Sequence, residues 1–161
     1  MILKPDYNVI SIFDIPFDKL KEHGIKLLMF DLDSTVMPSK SGRFPSEVIE
    51  LFEKLQQDYT LAIVSNNKKE DYINKVREQV SFKVIGKANK PNPKIINEYL
   101  KSVNIEPKQA VMIGDRPLTD ILAGKLAKTQ TILVDSITRD TENKPTRIVR
   151  KLERLVIVPV R

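Results

Sequence analysis

Short apolar runs alternate along the chain with longer stretches in which apolar residues return every three or four positions. Ile25–Phe30 (IKLLMF) lacks a polar face and predicts a strand buried on both sides, as parallel sheets require. A polar loop, PSKSGRFPS, precedes a helix through Val48, Ile49, Leu51, Phe52 and Leu55, with Ser46 as the expected cap before the acidic Glu47. Tyr59–Val64 predicts a second strand, Lys68–Val80 a helix and Phe82–Ile85 a short strand. Asn92 and Pro93 open a further helix through Ile95, Ile96, Tyr99 and Leu100, proline fitting a first helical turn. Ala110–Ile113 reads as a strand that ends in Gly114-Asp115, Leu118–Ala127 as a helix and Thr131–Val134 as a last strand. This alternation predicts an α/β fold, a doubly wound and mostly parallel sheet with helices on both faces and right-handed crossovers. No internal repeat interrupts it, and 161 residues suit a single domain over 1–161.

Chemistry enters where the strands stop. Open parallel sheets bind ligands beyond the carboxyl ends of their strands, and Asp31, Ser65 and Asp115 each stand at such an end. Asp33 follows Asp31 by two positions, and two carboxylates about 4 Å apart repel by about 4 kcal/mol at an effective dielectric near 20. A fold that gathers Asp31, Asp33, Asp115 and Asp120 must therefore neutralise them. Carboxylate oxygens without histidine or cysteine suit a hard divalent cation, Mg²⁺ above all. The chain has no cysteine, and its one histidine, His23, stands before Gly24 in what reads as a solvated turn. The same residue types serve phosphoryl transfer. One carboxylate can attack phosphorus, and a second can carry the proton. Ser65 with the adjacent Asn66 amide offers donors for the phosphoryl oxygens, and Lys90, in NKPNP, offers the positive charge.

DLDST (Asp31 to Thr35), SNN (Ser65 to Asn67), KPNP (Lys90 to Pro93) and GDRPLTD (Gly114 to Asp120) stand in the order of the four motifs of haloacid-dehalogenase-like (HAD) phosphatases. The chain further resembles the YqeG-like group of subclass IIIA through LKPDY near its start, GDRPLTDILAG and the late TRIVRKLE. The resemblance implies a Rossmann-like HAD core in which Asp31 is the nucleophile and Asp33 the general acid/base. It makes Ser65 the phosphoryl-binding hydroxyl and Lys90 the lysine that steadies nucleophile and phosphoryl group. Asp115 corresponds to the acidic Mg²⁺ ligand with Asp120 supporting it, and Mg²⁺ also takes the backbone carbonyl at Asp33. Thr35 is expected to support the loop. Ser34 stands where many relatives have asparagine, and Arg116 replaces an expected polar amide.

Spacing narrows the substrate. From Asp33 to Ser65 there are about thirty residues, what one strand–helix–strand unit consumes, and Ser65 to Lys90 is shorter. Neither interval holds a separate cap domain, so the mouth is expected to be open, with the loop Pro38–Pro45 and its Lys40 and Arg43 as the stand-in for a lid. The net charge of +6 favours anionic partners: a phosphorylated substrate, an anionic phospholipid at a membrane surface, or nucleic acid. No RNP-like aromatic pattern for base stacking is present. No apolar run approaches the ~20 residues of a transmembrane helix, and the N-terminus lacks the pattern of a secretory signal. A cysteine-free chain fits the cytoplasm, with the inner membrane face as a place of peripheral contact. RIVRKLERLVIVPV spaces Ile148, Leu152, Leu155 and Val156 helically, with Arg147, Arg150, Lys151 and Arg154 on other faces. Such a helix can pack on the sheet or lie on an anionic membrane. The YqeG-like group includes a fungal mitochondrial phosphatidylglycerophosphatase, so the resemblance implies removal of the terminal phosphate of phosphatidylglycerophosphate. The alternatives are a soluble phosphatase for a phosphoprotein, nucleotide or sugar phosphate, and a non-catalytic RNA- or ribosome-binding protein on the same fold.

Overall fold

The computed structural model describes residues 3–137. Its six strands form one sheet, all neighbours parallel: β1 (Tyr7–Asn8), β2 (Leu27–Phe30), β3 (Thr60–Val64), β4 (Lys83–Ile85), β5 (Ala110–Gly114) and β6 (Gln130–Leu133), in the order β1-β6-β5-β2-β3-β4. β2, β3 and β5 form the centre, and their apolar runs are buried because helices cover both faces. The pleat divides each run. Leu28, Phe30, Leu61, Ile63, Val111 and Ile113 point to one core, and Leu27, Met29, Ala62, Val64, Ala110 and Met112 to the other.

The first core is closed by α1 (Phe17–Glu22), α2 (Ser46–Leu55) and α3 (Glu70–Arg77), through Leu20, Val48, Phe52, Leu55, Ile73 and Val76. Phe52 is its hub, with ring centroids 5.5 Å from Phe30, 5.4 Å from Phe44 and 5.1 Å from Phe82. Contacts of this kind make a buried phenylalanine worth about 3–5 kcal/mol against alanine. The second core is closed by α4 (Lys94–Ser102) and α5 (Leu122–Leu126), through Ile96, Tyr99, Leu100 and Ala123.

Several element boundaries differ from the sequence expectation for local reasons. Ser46 is the first helical residue, Pro45 is the cap and no side chain caps the helix. Pro93 likewise caps α4 from outside its first turn, and Asn92 Oδ1 accepts the Lys94 N–H at 3.0 Å. The expected Lys68–Val80 helix keeps only Glu70–Arg77. Leu118–Ala127 divides into a wider, π-type turn, Pro117–Ile121, and then α5. β1 and α1 had no counterpart in the sequence reading, since β1 is two half-buried residues held by pairing with distant β6. The late basic helix falls outside the described residues. Among the described residues no helix is long and apolar enough to cross a membrane.

Chain order sets the site. From β2 the chain winds outward through β3 to β4, then crosses back over the second face to β5 and β6. The winding direction reverses between β2 and β5, where a crevice opens beyond the carboxyl ends of the strands. Asp31 follows β2 and Asp115 follows β5, so the two flank that crevice.

Candidate active site

The Asp31 backbone N–H donates to Ile113 O at 2.9 Å, which extends the β2–β5 ladder to the crevice rim. The chain then turns tightly: the N–H groups of Thr35 and Val36 both donate to Leu32 O, and that of Ser34 donates to Met37 O. Ser34 adopts the left-handed region (φ 70°), which asparagine adopts more readily than most residues.

This turn aims Asp31 and Thr35 at the residues that follow β5. Side-chain oxygens of Asp31, Asp115 and Asp120 lie within 4.8 Å of one another, a spacing that suits one cation among oxygen donors. The Thr35 hydroxyl lies 3.2 Å from Asp31 Oδ2 and 2.9 Å from Asp115 Oδ1. It carries one proton and so donates to one carboxylate at a time. Lys90 reaches the same group from before α4, donating to Asp31 Oδ1 at 2.8 Å and Asp120 Oδ1 at 2.6 Å. The side chains of Lys90 and Asp120 are each 1% exposed, and that of Asp31 is 15% exposed. Of that ion triad, Asp31 is therefore the member a solute can meet.

The electrostatics follow from burial. Burial and then the Asp31 charge push Asp120 up to about 6, against the pull of Lys90. For Lys90, burial alone would lower the pKa, but the charges of Asp120 and Asp31 outweigh it and raise it, so the ammonium persists at neutral pH. Asp120 can come this close because residue 114 is glycine: a Cβ there would lie 2.2 Å from Asp120 Oδ2. The second Asp120 oxygen accepts the Arg116 backbone N–H at 3.1 Å.

The remaining expected residues divide by what they touch. Ser65 Oγ accepts the Asn67 N–H at 3.1 Å, which leaves its own proton to donate. The Asn66 side chain is committed to Lys90, its Oδ1 accepting the Lys90 N–H at 2.7 Å and its Nδ2 donating to Lys90 O at 3.0 Å. Its backbone N–H is then the donor it can offer an anion. The Asp33 carboxylate does not join the other three. Its Oδ1 accepts the Lys40 N–H at 3.0 Å and the Tyr72 hydroxyl at 2.6 Å. A role for Asp33 toward a metal would therefore fall to its backbone carbonyl, as the motif resemblance implies. Tyr72 had no place in the sequence reading, because an aromatic at helical spacing carries no signal of a polar contact. Burial first, and then Asp33, raise the Tyr72 pKa, so the phenol stays protonated. The loop over residues 38–45 docks on α3 and the turn after it: Gly42 N–H donates to the Tyr72 oxygen at 3.2 Å, and Gln79 donates to Gly42 O at 2.7 Å and accepts from Phe44 N at 3.0 Å.

The family model for haloacid dehalogenase-like hydrolases matches residues 40–134, which include the strand ends at Ser65 and Asp115 and the loop that carries Lys90. A Bacillus subtilis (strain 168) protein named as a probable phosphatase, YqeG, is 31% identical over 95% of this chain and 88% of its own length. The Arabidopsis thaliana chloroplastic/mitochondrial phosphatidylglycerophosphate phosphatase 1 is 26% identical over 92% of this chain, which spans 45% of that protein. Among solved structures, a HAD family enzyme from Bacteroides thetaiotaomicron in complex with magnesium and inorganic phosphate superimposes with a TM-score of 0.59. It covers 76% of this chain and 98% of its own at 14% identity, a likeness of fold.

Proposed function

Since the chain belongs to the haloacid dehalogenase-like hydrolases and is a phosphatase of that family, we propose that it hydrolyses phosphomonoesters through an aspartyl-phosphate on Asp31, with Mg²⁺ bound. The observation that carries this reading is the pairing of Asp31 with Lys90: the most exposed carboxylate of the triad has one oxygen on a buried ammonium. Lys90 steadies the Asp31 carboxylate in one orientation, and Asp31 attacks phosphorus as the bond to the leaving oxygen breaks. Asp33 gives its proton to that oxygen. It then takes one from the water that attacks the aspartyl-phosphate, releasing phosphate and restoring the Asp31 carboxylate. The Ser65 hydroxyl and the Asn66 backbone N–H serve as donors to the phosphoryl oxygens.

The all-oxygen donor set fits Mg²⁺, which Asp31 and Asp115 would hold through their carboxylates and Asp33 through its backbone carbonyl, with Asp120 in support. When bound, the ion supplies charge neutralisation among the carboxylates and on the transferring phosphoryl group.

The preferred substrate is phosphatidylglycerophosphate, dephosphorylated to phosphatidylglycerol. The Arabidopsis relative supports this reading, as does the short loop over residues 38–45 that, among the described residues, borders Asp33. The test is phosphate release with Mg²⁺ from phosphatidylglycerophosphate in micelles, beside soluble phosphomonoesters, with EDTA and Asp31→Asn as controls. Turnover of the lipid far above the panel, lost with EDTA and in Asp31→Asn with the fold retained, is the expected result. Turnover of soluble esters alone would remove the lipid and keep the chemistry. No turnover at all, with RNA retained on the protein, would favour the binding-protein alternative.

A further inference from the structure

Asp33, a residue of the proposed reaction, is held from outside the four motifs. Its Oδ1 accepts two donors, the Lys40 N–H at 3.0 Å and the Tyr72 hydroxyl at 2.6 Å, which leaves Oδ2 for exchange with a reacting oxygen. The Tyr72 oxygen in turn accepts the Gly42 N–H at 3.2 Å and lies 3.5 Å from Met37 Sδ, at the base of the catalytic turn. Gly42 has φ +68° and stands so close to α3 that a Cβ would lie 3.3 Å from Tyr72 Cε2. Tyr72 therefore ties together the acid/base, the loop over residues 38–45 and the turn after β2. It belongs to α3, whose preceding strand end carries Ser65. One β-α unit thus holds both the phosphoryl-binding hydroxyl and the support of the proton carrier, which fixes their separation.

We propose that Tyr72 is a positioning residue for the general acid, fixing the Asp33 carboxyl group through Oδ1 so that Oδ2 delivers its proton to the leaving oxygen. The proposal rests on the reading of Asp33 as the general acid. As its proton leaves, Asp33 becomes a carboxylate and the Tyr72 O–H···O bond becomes the stronger, charge-assisted kind, and a carboxyl group that must meet a leaving oxygen gains rate from a fixed orientation.

The readout is leaving-group dependence. Phenyl phosphate and p-nitrophenyl phosphate share a shape, but the nitrophenolate departs without a proton and the phenolate does not. Tyr72→Phe is expected to lower kcat/KM for phenyl phosphate by about tenfold and for p-nitrophenyl phosphate by about twofold or less, the scale of one lost charge-assisted hydrogen bond. Asp33→Asn should show the same selectivity more strongly, and adding Tyr72→Phe to it should change the ratio no further. Circular dichroism and thermal melting establish that each variant is folded. Equal losses on both esters, no loss, or a gain for phenyl phosphate would overturn the role of Tyr72, provided Asp33→Asn is selective. An Asp33→Asn variant without selectivity would instead overturn the general-acid assignment. If Tyr72→Phe does not fold, Gln79→Ala, which frees the loop at Gly42 and leaves the phenol in place, should spare the selectivity; its loss there would assign the effect to the loop.

Discussion

Lys90 is a lysine with almost no access to water, and its burial is tolerable only because two carboxylates receive its ammonium. Such a charge acts at a fixed point, and that point is set by the backbone that carries it. Asn66 grips this backbone at both its N–H and its carbonyl, which is why the residue after Ser65 matters although its side chain faces another loop. Asn66→Ala removes both bonds and leaves two partly buried backbone groups without that partner. The expected cost is about 1–3 kcal/mol in a urea melt, with kcat reduced about tenfold as the ammonium loses its placement. Free lysine analogues should not restore the rate, since the charge is present and only misplaced. A variant with normal kcat would place the clamp outside the reaction and make it a fastening between two loops.

At the scale of elements, what the sequence disclosed is what local pattern encodes. The runs at 27–30, 60–64 and 110–114 are apolar on both faces, and each ends in a polar residue that the parallel sheet brings to one edge. Asp31, Ser65 and Asp115 were therefore legible as residues of one sheet edge, whereas Lys90 ends no such run and was legible only through KPNP. Tyr72 was not, because its partner Asp33 is 39 residues away and its spacing in α3 suits packing equally well. β1 was illegible for a similar reason: two half-buried residues become a strand only through β6. The turn after β5 shows both aspects. Its motif was visible, yet the widened helical turn over Pro117–Ile121 and the packing of Asp120 beneath Gly114 were not. That contact yields a prediction. In Gly114→Ala the new Cβ would overlap Asp120, displacing the side chain that receives Lys90 and that is proposed to support the metal ligands. Destabilisation of about 1–3 kcal/mol is expected, together with a higher Mg²⁺ concentration for half-maximal activity. A variant less stable but unchanged in its Mg²⁺ titration would mean that Asp120 supports the fold alone.

On the scale of the whole molecule, a chain with net charge +6 keeps a cluster of opposite sign at the crevice, where Asp31, Asp115 and Asp120 gather and two of them, Asp31 and Asp120, receive one buried lysine. The outer charge draws anions toward the protein, and the inner charge must be offset before a phosphate can enter. Stability should register that conflict. Asp120 ordinarily titrates near 3.8 and is pushed up to about 6, by burial first and by Asp31 next. The folded state then binds more protons than the unfolded chain between these values. Its contribution to stability is complete below the lower one and is lost as pH rises through the upper one. Without divalent ions, the melting temperature of the wild type should accordingly fall relative to that of Asp120→Asn as pH rises from about 4 to above 6. Mg²⁺ favours the ionised carboxylates, so the stabilisation it gives should grow across the same window and saturate above it. Thermal melts of both proteins from pH 4 to 7.5 with and without Mg²⁺ measure both effects. A Mg²⁺ shift that stays constant across the window in the wild type would separate the buried carboxylate from the ion, and Asp120 would then serve only to hold Lys90.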